Sequence, residues 1–503
     1  MMKRHLAALL AMAAASTLAA ATPSLAETLR IGISEDTDTL DPTQGRTFGG
    51  RQMFAALCDK LFDLDPKGGI VGQLVTDWTV SDDQLEITLT LRPGVKFHDG
   101  TPFDAAAVKF NLERAMTLEE SARKGELRAI KSIEAVDDAT VKLVLSEPFA
   151  PLFASLADRA GMMMSPTAIQ AVDTATFANA PVCSGPFKFK ERVVQDHVTV
   201  EKFDDYWDKD RIHFDEVVYR PMPDSTIRLN NLLSGELDII EGVATSDLDG
   251  LKGNDDVKLV DITGLGHVHI QFNVAGDHPV VASQKIRQAV DAAVDRNIIN
   301  QVVYGGNFVA GNQPVAPTSP FYATKYPVKP ADPERAKALI AESGIESPSF
   351  TLVVNNEPAF IRAGQVVQSM LAQVGITVTL QPVEGATAIA IMESPDFQAA
   401  LSTWSGRADP DANAYAYLGC KGAQNFGKYC SEATEAALQS AAKVSDVAKR
   451  TAFYTEAADT WMQDLPVIYL YHHKRFFGLD DDLGGFVAVP DGIIRVQGVA
   501  EGS

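Results

Sequence analysis

The sequence predicts an α/β fold, and three observations predict it. Residues 350–354, 359–374 and 376–380 read as strand, helix and strand, with Gly375 between the last two. The helix is long enough to be a right-handed crossover between parallel strands. Leu85, Ile87, Leu89 and Leu91 alternate with Glu86, Thr88, Thr90 and Arg92, the period of a half-buried strand. Residues 283–303 place Ile286, Val290 and Val294 four apart, the spacing of an amphipathic helix. With 503 residues and roughly 150 per domain, about three units are expected, and 46% apolar content is ordinary for a globular chain.

The chain opens with Lys3 and Arg4, an Ala/Leu-rich run over 6–18, and Ser24-Leu25-Ala26 before Glu27. This is the pattern of an export signal over residues 1–26. No Cys follows the cleavage point, so no lipid attachment is offered there, and no later apolar run approaches the ~20 residues that span a bilayer. The formal net charge of -22, with no basic run, argues against nucleic acid and anionic membranes as partners. Four cysteines in an exported chain allow three pairings. Cys420 and Cys430 close a short Gly-rich loop, which leaves Cys58 and Cys183, either bridged or as buried free thiols. There is no C-x-x-C, so zinc is not expected.

In chain order, residues 27–34 read as a strand that runs into a polar loop. Residues 48–62 follow as a helix with Met53, Leu57 and Leu61 on one face. Gln44, Arg46 and Thr47 end that loop just before a helix N-terminus, where backbone N–H groups favour anions. Asp104 can cap a helix running to Met116. Residues 226–240 read as a helix ended near Gly235 and then a strand, and 261–273 as an extended segment. Asp332, Pro333 and Gly344 mark the N-cap, first turn and end of a further helix. Residues 397–404 form a short buried strand. Gly406 and Pro410 then turn the chain, with Arg407, Asp409 and Asp411 on the turn. The loops after Val354 and Thr403 would open at one sheet edge, where α/β lobes place ligands. Helices over 432–442 and 447–464 lead to a strand over 467–471.

Several motifs fail. Residues 422–428 match most of a phosphate-binding loop, but Tyr429 follows in place of Ser or Thr. Asp409, Asp411 and Asn413 resemble the start of an EF-hand, yet Ala414 and Cys420 stand where Gly and Glu are needed. His267 and His269 share one face of an extended segment as two metal ligands would, with no third ligand nearby in sequence. His472 and His473 point to opposite faces, one of them toward a cleft. Neither H-E-x-x-H nor G-x-S-x-G occurs.

W-x-x-S-x-D over 78–83 and L-R-x-G-V-K-F-H-D-G-x-P over 91–102 are followed, in order, by P-V-C-S-G-P-F-K-F (181–189), F-D-D-Y-W (203–207), the helix from Lys285, the Trp404 loop and N-F-G-K-Y (425–429). On these motifs, spread over nearly all of 28–503, the chain resembles the bacterial extracellular solute-binding family of ABC importers that includes the dipeptide, oligopeptide, glutathione and nickel receptors. The resemblance implies a periplasmic-binding-protein type II-like α/β fold of two lobes, a hinge and an additional domain. Lobe I would comprise 27–70, 183–266 and 477–503, the extra domain 71–182 and lobe III 267–476.

It also implies a periplasmic receptor without cofactor or metal, monomeric and not an enzyme, that captures a small peptide or peptide-like solute and delivers it to a membrane permease. The alternatives are a nickel-type metal chelate, an opine or sugar conjugate and, from another class, a periplasmic hydrolase. In the family's dipeptide receptors, the loop after the Trp matching Trp404 carries an Asp that pairs with the peptide amine; here Arg407 stands in its place. Arg407 is therefore expected to anchor an anionic group, because a guanidinium holds carboxylates bidentately and repels ammonium. Asp409 would be oriented by it or hold a cationic group, Asn355 would add a polar contact and Trp404 an apolar wall, and Arg46 and Thr47 would face the ligand. The alternative for Arg407 is pairing with Asp409 or Asp411 as loop scaffolding.

Overall fold

The computed structural model describes residues 27–444 and 446–502, so the export segment expected over 1–26 lies outside the described residues. One large sheet runs through the molecule. Its strand order is Thr377–Val383, Ser349–Asn355, Ala399–Trp404, Val257–Phe272, Val467–Asp480, Ile239–Glu241, Thr28–Ile33, Glu216–Pro221, His197–Lys202 and Phe187–Val193.

The two long central strands are antiparallel partners and pass from one half of the sheet to the other. Val467–Asp480 pairs with Ile239–Glu241 through Phe477, Gly478 and Leu479, whereas Val257–Phe272 pairs with Ala399–Trp404 only from His267 onward. The ladder between them breaks between Thr263 opposite Lys474 and His267 opposite His472. Gly264-Leu265-Gly266 fills the gap, and a β-bulge of this kind bends a strand locally.

On the far side of this crossing, Ser349–Asn355 lies parallel to both Thr377–Val383 and Ala399–Trp404. The crossover helix Pro358–Gln373 buries Phe360, Ala363, Val367 and Leu371, at the expected spacing, against that half-sheet. On the near side, Thr28–Ile33 is parallel to Glu216–Pro221, and Leu29, Ile31, Phe54 and Tyr219 pack the core. A separate four-stranded antiparallel sheet over 75–145, with the helix Ala105–Thr117, closes around Ile87, Leu89, Val108 and Leu143. Asp104 caps that helix by accepting from the Ala107 N–H at 2.8 Å.

Three elements differ from the sequence expectation. The helix expected over 48–62 ends at Leu57, because Cys58 turns extended and is bridged to Cys183. The helix expected over 283–303 is two, Gln284–Ala293 and Arg296–Tyr304; Asp295 caps the second through the Asn297 and Ile298 N–H groups. The strand expected over 467–471 runs on to Asp480. The second disulfide joins Cys420 and Cys430.

Candidate functional site

A cavity of about 670 Å³ opens between the two halves of the sheet, in the usual range of ~300–1,000 Å³ for small-molecule sites. Its near wall carries Glu35, Thr47, Arg228 and Glu241, its far wall Asn355, Glu357, Arg362 and Trp404, and its floor His473 to Phe476 from the crossing strand. Asn355 and Trp404 end neighbouring parallel strands, so both reach the cavity from the carboxyl edge of the sheet.

Near-wall electrostatics begin at the helix Phe48–Leu57. Its N-terminal N–H groups are taken by the protein itself: Glu35 Oε1 accepts from Phe48 at 2.7 Å and Gly49 at 3.1 Å, and Thr47 Oγ1 accepts from Gly50 at 3.2 Å. Burial raises the Glu35 carboxyl to about 7 despite these donors, and Glu241 and Glu384 add to the rise. The anion site expected beside Arg46 and Thr47 is thus occupied by Glu35. Arg46 lines the cavity and pairs across it with Glu393. Gln44 is held by Asp41 at 2.9 Å.

Asn355 accepts from the Glu357 N–H at 2.9 Å, which leaves its amide nitrogen for the cleft. A Cβ added at Gly385 would lie 2.9 Å from Glu35 Oε2 and 3.3 Å from Asn355 Nδ2, so those two atoms converge on the space a glycine leaves. The Glu357 carboxylate has no hydrogen bond or ion pair among the described residues. Burial raises its pKa, while Arg228 and Arg475 pull it down. Arg228 is spent on backbone: it donates to the carbonyls of Met222, Pro223, Glu241 and Gly242. Arg475, whose guanidinium lies 4.3 Å from the Phe48 ring, makes no ion pair or hydrogen bond among the described residues, and neither does Arg362. Sequence reasoning missed Arg475 and Arg228; Arg475 sits in a strand whose partner, around Ile262, is distant in sequence, and Arg228 lies on a helix whose residues gave no sign that it caps carbonyls on both sides.

Arg407 requires a correction. It is 6% exposed and does not line the cavity; its Nε lies 2.5 Å from Asp158, and its guanidinium stacks 4.3 Å from the Trp404 ring. It pairs with neither Asp409 nor Asp411. Asp409 accepts from Arg450 at 2.7 and 2.8 Å, away from the cleft, and Asp411 pairs with Arg128 at 3.2 Å. Asn413 holds the turn by accepting from Trp404 Nε1 and the Arg407 N–H, both at 2.8 Å. The physical reason is topological: through Ala408 the turn packs onto the core built around the four-stranded sheet, where Asp158 also pairs with Arg51 at 3.1 Å.

His267 and His269 are fully buried under Tyr417 and Tyr469, with Nδ1 atoms 3.2 Å apart, away from the cavity. Of the pair at 472 and 473, His473 lines the cavity and bonds to Thr403 Oγ1 at 2.8 Å.

Residues 69–425 match the model of the bacterial extracellular solute-binding proteins, family 5. The chain belongs to this family. It is therefore a substrate-binding receptor of the ABC-importer class, in a family of receptors rather than enzymes. Among curated relatives it is 30% identical to a glutathione-binding protein GsiB of Pectobacterium atrosepticum, over 93% of each chain. Among solved structures, it resembles AgaA of Agrobacterium tumefaciens R10 bound to agropinic acid (28% identity, TM-score 0.85, 94% of this chain and 98% of that one). It also resembles a dipeptide-binding protein of Pseudoalteromonas sp. SM9913 bound to Met-Leu (25%, 0.87, 94% and 100%). Among the described residues, no helix is long and apolar enough to cross a membrane.

Proposed function

We propose that this receptor closes two lobes over a small zwitterionic peptide or peptide-like solute and passes it, chemically unchanged, to a membrane permease. The observation that carries the reading is the charge pattern of the cavity: five acidic and five basic side chains line it, and the charged groups of Glu357, Arg362 and Arg475 among them make no hydrogen bond or ion pair among the described residues. Unpaired charges of both signs in a desolvated cleft favour a ligand that brings both complements. Glutathione, agropinic acid and Met-Leu, the ligands named for its relatives, are all charged amino-acid derivatives. An opine-like conjugate is a second reading, favoured by the 28% identity to AgaA. A metal chelate would call on His267 and His269, which lie away from the cavity.

The moving bodies are lobe I (27–70, 183–266, 477–503) and lobe III (267–476), with 71–182 riding as the extra domain. Rotation falls at the bulge over 264–266 and its partner segment. Trp404, Asn355, Arg46 and Thr47 contact the solute, while Arg407 and Asp409 hold the turn behind it. A micromolar solute contributes about 8 kcal/mol, enough to drive closure if most of its contacts exist only in the closed form. The receptor is exported through residues 1–26, acts as a monomer, turns nothing over and binds no nucleic acid.

Native mass spectrometry of the protein purified from its own cell tests this. A retained adduct of a few hundred daltons, released intact on unfolding, is the expected result. Release of a chemically altered product, or neither an adduct nor a melting shift with any peptide or opine, would refute it.

A further inference from the structure

We infer that the solute's carboxylate is seated at the hinge, between the Ser405 hydroxyl and the Arg475 guanidinium, which makes the Trp404 turn an acceptor-binding subsite. The inference rests on the receptor reading above and deepens it.

Ser405 lines the cavity directly after the strand that ends at Trp404. Its Oγ accepts from Arg51 Nη1 at 2.8 Å and from Arg407 Nη1 at 3.3 Å. A serine hydroxyl has two lone pairs and one proton, and a guanidinium can only donate. With both lone pairs occupied, Ser405 has one capability left, which is to donate its proton. The Ser405 hydroxyl therefore offers an ammonium group no acceptor and a carboxylate oxygen a donor.

Arg475 lines the same cavity. A Cβ built on Gly266 would lie 2.9 Å from the Ser405 carbonyl carbon, and one on Gly264 3.5 Å from Arg475 Cγ. Ser405 and Arg475 therefore flank the same three-residue bulge. Arg475 has no carboxylate within ion-pair distance among the described residues, so its fork of donors is free for a planar anion.

The ground behind Ser405 is also positive. Arg51, Arg123, Arg159 and Arg407, each no more than 6% exposed, form ion pairs with only Asp158 and Glu126 among the described residues. Arg407 Nη2 and the Nε atoms of Arg123 and Arg159 have no hydrogen-bond partner among the described residues. Such an excess of buried cations projects a field that favours an anion on the cleft side. Glu35 Oε2 and the Glu357 carboxylate, which also line the cavity, suit an amine. Arg51, Arg407 and Asp158 are positioning residues that act through Ser405.

The test is isothermal titration of a fixed panel: glutathione, Met-Leu, Ala-Ala and agropinic acid, each as the free acid and as the carboxamide, against wild type, Ser405→Ala, Ser405→Thr, Arg475→Gln and Arg475→Lys. The wild type is expected to bind at least one free acid tenfold or more tighter than its amide. Ser405→Ala should weaken the acid about tenfold, and Arg475→Gln more, with the acid-to-amide ratio falling toward one. Ser405→Thr, which keeps the hydroxyl, should restore the ratio, and Arg475→Lys should retain part of it. A merely structural loss would weaken acid and amide alike and leave the ratio unchanged. If wild type binds amides as well as acids, or the variants keep the full acid preference, the inference falls and the receptor reading stands. If no panel member binds, both fall together.

Discussion

Replacing Asp158 by Asn removes the carboxylate that Arg51 and Arg407 share, while the side chain's shape is kept. Asp158 is 6% exposed and lies 3.1 Å from Arg51 Nη2, 2.5 Å from Arg407 Nε and 3.8 Å from Arg159 Nε. Burial alone would raise its pKa, but Arg407, Arg51, Arg159 and Arg123 together hold it well below the usual carboxylate range. Removing one partner of a buried pair typically costs about 3–5 kcal/mol, because the charges left behind are uncompensated. At about 1 °C per kcal/mol for a chain of this size, Asp158→Asn should lower Tm by roughly 3–5 °C in differential scanning calorimetry. Because the folded pKa lies below the unfolded ~3.9, this stabilisation is present above pH 4 and is lost as pH falls through the folded value. The variant's deficit should therefore shrink below pH 4. Arg407→Ala should relieve the cation excess in the Asp158→Asn background, so the double variant should be less destabilised than the sum of the singles. A single variant melting within 1 °C of wild type, or additivity within ~0.5 kcal/mol, would refute the idea of a shared buried carboxylate.

Other outcomes follow from the same geometry. The disulfide between Cys58 and Cys183 spans 125 residues and that between Cys420 and Cys430 spans 10, so chain-entropy losses of about 5 and about 3 kcal/mol are expected on replacing each pair by Ala. Equilibrium unfolding in denaturant reads the order, and a larger loss at the short loop would contradict it. Burial lowers His269 to about 3 and His472 to about 4, below the unfolded ~6.5. Their contribution is present above pH 6.5 and lost as pH falls toward 4. His269→Gln should accordingly lose less stability than wild type between those values, as read by melting scans across pH. Gly406 has φ +83, and a Cβ there would lie 2.2 Å from the Leu265 carbonyl carbon, so Gly406→Ala should cost more than the ~1–2 kcal/mol of left-handed strain alone and displace Trp404, visible as a shift in its fluorescence.

What the sequence made legible was local. The helix Pro333–Ser343 begins and ends where Asp332 and Gly344 place its caps, since capping depends on residues within one turn. The convergence of Asn355 and Trp404 on one edge followed from parallel topology alone. The rest depended on partners far away in the chain. The polar run His472 to Arg475 gave no strand signal, yet it is strand, because Ile262, Thr263 and His267 pair with it. The charges on the Trp404 turn marked an ionic loop correctly but could not show that Arg407 would find Asp158 and Asp409 would find Arg450. Arg475 was hidden for the same reason as the strand that bears it.

That strand, Val467–Asp480, lies between Val257–Phe272 and Ile239–Glu241, with the near half-sheet on one flank and the far half-sheet on the other. Neither half-sheet is complete until one of the last segments to be synthesised has slotted in. An emerging chain therefore keeps open edges until its tail is made, and commitment to the native topology is postponed to the end of translation. Such a delay suits a polypeptide that must stay threadable while it crosses a membrane and fold on the other side.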